Sequence, residues 1–127
     1  MTFKISPDID NDKLNELFSE SWKKYTPRSF EYLNKSLLYI CCYEENDLIG
    51  FVNIISDGYL HAFLLDVTVS PKYRRKGIGT LLVKRAIEEC KEIGIEWIHV
   101  DFEERLGEFY HNCRFKNTNA GIMNLKN

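Results

Sequence analysis

The sequence lacks most features that would set it apart from an ordinary globular chain. Only three prolines and seven glycines occur in 127 residues. No Pro/Gly/Ser-rich linker or internal repeat divides it, so one domain spanning 1–127 is expected. No apolar run approaches the roughly 18 residues of a membrane-spanning helix, and Met1 to Ser6 lacks the basic and apolar regions of a secretory signal. Neither sign of charge dominates: 17 Lys and Arg stand against 19 Asp and Glu, a net charge of −2. No global field therefore recruits nucleic acid or an anionic membrane, and any affinity for phosphate must be local. Cys41, Cys42, Cys90 and Cys113 form no CxxC pair and have no histidine at zinc-ligand spacing. No metal is expected, and reduced thiols in a cytoplasmic protein are the simplest reading.

What is present is a succession of strand and helix signals in a mixed α/β chain. Phe3 to Ser6 fits a short strand, and Asp10, Asn11 and Asp12 offer cap oxygens before Leu14, Leu17, Phe18 and Trp22 at helical spacing. Phe30, Leu33 and Leu37 suggest a second short helix. Leu38 to Tyr43 and Leu48 to Ile55 flank a polar turn as an antiparallel hairpin. Ala62 to Val69 reads as a strand buried on both sides. Gly77 to Ile93 is the clearest helix, with Gly94 placed for a left-handed cap. Trp97 to Phe102 follows as a strand, Arg105 to Asn112 as a short helix, and Phe115 to Leu125 as the last strand or strands.

The segment Arg74 to Thr80 carries the chemistry. Arg74, Arg75 and Lys76 precede Gly77, Ile78, Gly79 and Thr80 where a helix begins. A helix start has unpaired N–H groups and a partial positive charge. Glycine there lets an anion approach the backbone closely. The same residues also fit a solvated basic turn feeding an amphipathic helix. A P-loop hydrolase is disfavoured because GxxxxGK[ST] is missing, and a dinucleotide fold because no GxGxxG opens the first βαβ unit.

Val69-x-Pro71-x-Tyr73-Arg74-x-x-Gly77-Ile78-Gly79 resembles the acetyl-CoA motif of the GNAT superfamily of N-acetyltransferases, R/Q-x-x-G-x-G/A. Phe109-Tyr110-His111-Asn112-Cys113-Arg114-Phe115 is similar to that family's FYxxxGF signature, at the expected separation. The resemblance covers nearly the whole chain. It implies one N-acetyltransferase domain of α/β (α+β) type: a mostly antiparallel sheet flanked by about four helices, with a splayed strand pair holding acetyl-CoA as cosubstrate. Backbone N–H groups from Arg74 through Arg75, Lys76, Gly77, Ile78 and Gly79 to Thr80 would hold the pyrophosphate. The pantetheine arm would enter beside Val67, Thr68 and Val69, where an N–H would polarise the thioester carbonyl. Tyr110 would protonate the departing thiolate or hydrogen-bond to it. A primary amine of a small molecule or peptide would attack directly in a ternary complex, and a second copy of the chain could complete the acceptor groove as a homodimer.

Attack requires a neutral amine, hence a base or a water relay. Asp66 and Asp101 are the candidates carried forward, with Glu103 and His61 also near strand ends. A structural carboxylate explains either aspartate as well. Trp22, Tyr25, Arg28 and Phe30 fall in the region that lines the acceptor side in this superfamily, although core packing accounts for Trp22 and Phe30. Arg114 replaces the family's usual glycine, so a differently built turn before Phe115 is expected. Glu103 and Leu106 stand where many members have Asn and Ala. An alternative function is a non-catalytic acetyl-CoA-binding sensor with the same fold. A basic nucleic-acid module built on residues 73–76 fits the net acidity poorly.

Overall fold

The computed structural model describes residues 1–126. Its strands are β1 (Thr2–Ile5), β2 (Leu38–Glu44), β3 (Asp47–Ser56), β4 (His61–Val69) and β5 (Trp97–Val100). They form one sheet in sequence order, antiparallel throughout except that β4 and β5 run parallel. Three α-helices occur among the described residues: α1 (Asn11–Ser21), α2 (Ile78–Glu92) and α3 (Gly107–Asn112). Short 3₁₀ turns at Glu31–Lys35, Pro71–Tyr73 and Glu104–Leu106 complete the chain. No helix among the described residues is long and apolar enough to cross a membrane.

Each sheet face gathers its own core. Asp10 caps α1, its side chain accepting from the Lys13 N–H at 3.1 Å, a contact worth about 1 kcal/mol. The helix then presents Leu14, Leu17 and Phe18 to Phe30, Leu33, Tyr39, Cys41 and Phe51. On the opposite face Ile78, Leu82, Val83, Ala86 and Cys90 of α2 pack on Ile40, Val52, Ile54, Ala62 and Leu64. Gly50 on β3 permits this approach. A Cβ there would lie 3.0 Å from Leu82 Cδ1 and 3.4 Å from Ile78 Cγ2. The sheet thus fixes where the N-terminus of α2 sits.

Three elements differ from the sequence expectations. The second helix before the sheet is the 3₁₀ turn Glu31–Lys35, and Leu37 lies beyond it, exposed. β4 is buried on one side rather than two: Phe63 and Leu65 are each 38% exposed. On that face α1 covers only the C-terminal end of β4, where Trp22 meets the buried Thr68, and Phe63 and Leu65 lie outside the apolar cluster under the helix. No strand follows α3 among the described residues; residues 116–126 are exposed and irregular. Lys116-Asn117-Thr118-Asn119 is polar without alternation, so it presents no face to bury.

Candidate active site

Toward its C-terminal end β4 leaves β5 and bulges from β3, re-pairing with β3 at Thr68 and Val69. Pairing with β5 runs from His61 opposite Trp97 to Leu64 opposite Val100 and then stops. Pairing with β3 slips between Phe51 and Asn53, where Asp66 takes a left-handed φ of +57°. Among the described residues, Asp66 and Val67 have no register partner on either side. An extra residue that breaks a ladder bends the strand and frees its polar groups.

The chain then forms the 3₁₀ turn Pro71–Tyr73 and the basic loop. Arg74 Nε donates to the Val69 carbonyl at 3.2 Å, bending the loop back toward β4. Arg75 and Gly77 both take left-handed φ values, +64° and +78°. The first helical bond of α2 runs from Leu81 N–H to the Gly77 carbonyl at 3.1 Å. No side chain caps this end among the described residues. The N–H groups of Ile78, Gly79 and Thr80 therefore lack helical partners.

Between the parted strand and this helix start lies a cavity of about 380 Å³. Val67 and Val69 line one side, Arg74, Arg75 and residues 77–80 another, and Leu106, Phe109 and Tyr110 the third. Tyr110 is 5% exposed. Its ring stacks on Phe102 at 4.7 Å and meets Phe109 and Phe115 edge-on. Burial pushes its phenol up to about 12, so it stays protonated throughout the neutral range.

Behind β4, on the α1 side, Thr68 is buried. Its hydroxyl donates to the Asp66 carbonyl at 2.8 Å and accepts from Trp22 Nε1 at 3.2 Å. Burial raises the Asp66 carboxyl above the usual range, opposed by the charge of Arg28. The Asp66 and Thr68 side chains are thus not part of the cavity wall. The remaining sequence candidates lie elsewhere. Asp101 is exposed beyond the end of β5, and Glu103 pairs with Arg105 at 2.9 Å. His61, at the far end of β4, meets His99 nitrogen to nitrogen at 2.8 Å. Lys76 is exposed and lies over the Tyr73 ring at 5.5 Å. All four cysteines are buried free thiols, and Cys41 is pushed up to about 12 by burial. No group of three or more potential metal ligands occurs among the described residues.

Tyr73, Leu106 and Phe109 also line the cavity, although the sequence did not single them out as site residues. Phe109 carried a signal in its pairing with Tyr110, and Tyr73 in its place within the first motif. Leu106 gave none beyond its departure from Ala. Arg114 overturns one expectation: its φ is +75°, so the turn before Phe115 keeps the left-handed geometry of the glycine it replaces.

Residues 11–115 match the acetyltransferase (GNAT) family, and the chain belongs to that family. Among relatives, it is 29% identical over 82 residues to GCN5-related N-acetyltransferase 2, chloroplastic, of Arabidopsis thaliana, covering 65% of this chain and 32% of the relative. It is 44% identical over 50 residues to streptothricin acetyltransferase A of Bacillus subtilis (strain 168), covering 39% and 29%. The chain thus spans about a third of the length of these relatives. Its fold is shared with a GNAT-family acetyltransferase of Streptococcus pneumoniae TIGR4, with a TM-score of 0.77, 23% identity and 98% of each chain covered.

Proposed function

We propose that the chain is an acetyl-CoA-dependent N-acetyltransferase that transfers an acetyl group to a primary amine of a small molecule or peptide by direct attack in a ternary complex. The observation that carries this reading is the cavity that joins the uncapped amides of α2 to the Tyr110 phenol through the gap beside Val67. The residues fit the coenzyme's diphosphate. A Cβ on Gly77 would meet nothing within 4 Å, so the helix entry is open, and Arg74 and Arg75 add positive charge beside the free N–H groups.

In this reading the thioester supplies an activated acetyl group. Backbone N–H groups of Arg74, Arg75, Lys76, Gly77, Ile78, Gly79 and Thr80 hold the diphosphate, and Val67, Thr68 and Val69 border the arm. An N–H at the unpaired stretch stabilises negative charge developing on the thioester oxygen. The amine nitrogen forms a bond to the carbonyl carbon, the carbon–sulfur bond breaks, and the amine's proton leaves to a base. Asp66 is the stronger candidate for that base: its raised carboxyl accepts a proton more readily than an exposed one. Asp101, the second candidate, is exposed past β5 and does not line the cavity. Tyr110 donates a hydrogen bond to the leaving sulfur. With the phenol at about 12 and a free thiol near 8.5, full transfer is uphill by roughly 5 kcal/mol. Hydrogen bonding therefore comes first, and transfer completes only as burial raises the thiol too.

Calorimetric titration with acetyl-CoA tests the reading. Binding is expected in the wild type, and Gly77→Val should weaken it at least tenfold with the circular dichroism spectrum retained. A folded wild-type chain that takes up no acetyl-CoA would overturn the proposal.

A further inference from the structure

We infer that the amine acceptor also carries an anionic group, a carboxylate or a phosphate, and that Arg28 is the residue that recognises it. This inference rests on the acetyl-transfer reading and adds to it the chemical class of the acceptor.

Arg28 sits in an irregular segment, yet its backbone is held at both polar groups. Asn15 on α1 accepts from the Arg28 N–H at 3.0 Å and donates to its carbonyl at 2.9 Å. Asn11 holds the neighbouring Phe30 N–H at 2.8 Å. The guanidinium lies over four rings: Tyr25 at 5.3 Å, Trp22 at 5.5 Å, Phe18 at 5.6 Å and Phe30 at 5.8 Å. Its Nη1 reaches the Tyr32 hydroxyl at 3.3 Å. These contacts orient the cation without neutralising it. Among the described residues, no carboxylate comes within 4.0 Å of it.

Asp66 is the matching opposite charge. Its side chain accepts no hydrogen bond among the described residues, although Arg28 lies within electrostatic reach. The two are joined through the fold: Trp22, beneath Arg28, donates to Thr68, whose hydroxyl holds the Asp66 carbonyl. A held guanidinium and a carboxylate without a hydrogen-bond partner among the described residues thus border the α1 side of the bulged strand. An acceptor with its ammonium toward Asp66 and an anion toward Arg28 pairs both, and the planar guanidinium suits a bidentate oxyanion. A polycation would instead set one of its charges against Arg28.

The test measures thiol release with acetyl-CoA and paired acceptors. Each amino acid is compared with its own carboxamide, and phosphoethanolamine with ethanolamine. The two arms separate carboxylate from phosphate recognition. In at least one arm the anionic member should have a kcat/KM at least tenfold higher. Arg28→Gln should erase that preference by raising KM, and Arg28→Lys, which keeps the charge, should retain part of it. Should Arg28→Gln not fold, the wild-type pairs and Arg28→Lys still decide. Equal turnover within every pair overturns the inference, as does silence toward all anionic amines, or a preference that persists in folded Arg28→Gln. If acetyl-CoA itself does not bind, the acetyl-transfer reading fails as well. If it binds and neutral amines react equally, only this inference fails.

Discussion

Arg114 holds a backbone conformation that suits glycine, which makes it a direct probe of how the Tyr110 helix is closed. α3 ends in a pair of reversed bonds: Arg114 N–H to the His111 carbonyl at 2.9 Å and Phe115 N–H to the Tyr110 carbonyl at 3.0 Å. Phe115 packs edge-on against Tyr110. This is the Schellman pattern, with the left-handed position just past the cap. α2 ends the same way, with Gly94 at φ +87° and bonds from Gly94 to Lys91 and from Ile95 to Cys90. One helix therefore uses glycine where the other uses arginine. An L-residue in this region costs about 1–2 kcal/mol, and glycine's extra freedom in the unfolded chain returns about 0.5–1 kcal/mol of that. Arg114→Gly should stabilise the protein by about 0.5–1 kcal/mol. At roughly 2.1 cal/mol/K per residue, this raises Tm by about 2–4 °C for a chain of this length. Thermal unfolding followed by circular dichroism measures it, with Gly94→Ala as the opposing control. A lower or unchanged Tm for Arg114→Gly would refute the reasoning, because it would mean the arginine side chain stabilises the turn by at least as much as its strain costs.

Three further outcomes are expected. Tyr110→Phe should lower kcat about 10- to 150-fold, the worth of a hydrogen bond to a charged group, with acetyl-CoA affinity by calorimetry nearly unchanged; equal kcat would remove the role. Asp66→Asn should abolish most turnover yet stabilise the fold at pH 7. The folded carboxyl is raised above 3.8, so the native state binds its proton more tightly and loses stability as pH rises through the interval above 3.8. The gain in urea melts should therefore vanish near pH 3.8 and below, and a gain independent of pH would contradict burial as the cause. Gly50→Ala should destabilise by about 1–3 kcal/mol through overpacking against Leu82 and Cys42, read as a lower urea midpoint.

The fold was legible wherever a local pattern had a local cause. Asp10 before an apolar 3–4 spacing, the polar turn between Tyr43 and Leu48, and Gly94 after α2 all marked boundaries the structure keeps within a residue or two. The basic glycine loop and Tyr110 were legible because their motifs are contiguous. What was not legible depends on separate segments meeting. The one-sided burial of β4 follows from how far α1 reaches across the sheet, which no single strand records. The cage of rings around Arg28 requires α1, the 25–30 segment and the Asn15 clamp together. Residues 116–126 carry Ile122, Met123 and Leu125, all strongly exposed, and without an alternating pattern these three give no face for a sheet to bury.

Asp66 breaks the local rules that the rest of its strand follows. A regular strand would pair Asp66 and Val67 on both sides, burying the N–H groups and turning the side chains in strict alternation. The left-handed residue interrupts the ladder with β3 and lies just past the end of the ladder with β5. Backbone N–H groups are thereby left beside the cavity while a carboxylate remains on the α1 side. Few residue types meet both demands: glycine adopts the conformation but carries no carboxylate, and bulky or β-branched residues resist it. Aspartate tolerates it better than most. In the proposed mechanism the cost in strain and in burial of the charge falls where the base and the freed amide are both used. Thr68, donating to the Asp66 carbonyl under the indole of Trp22, holds the break in place.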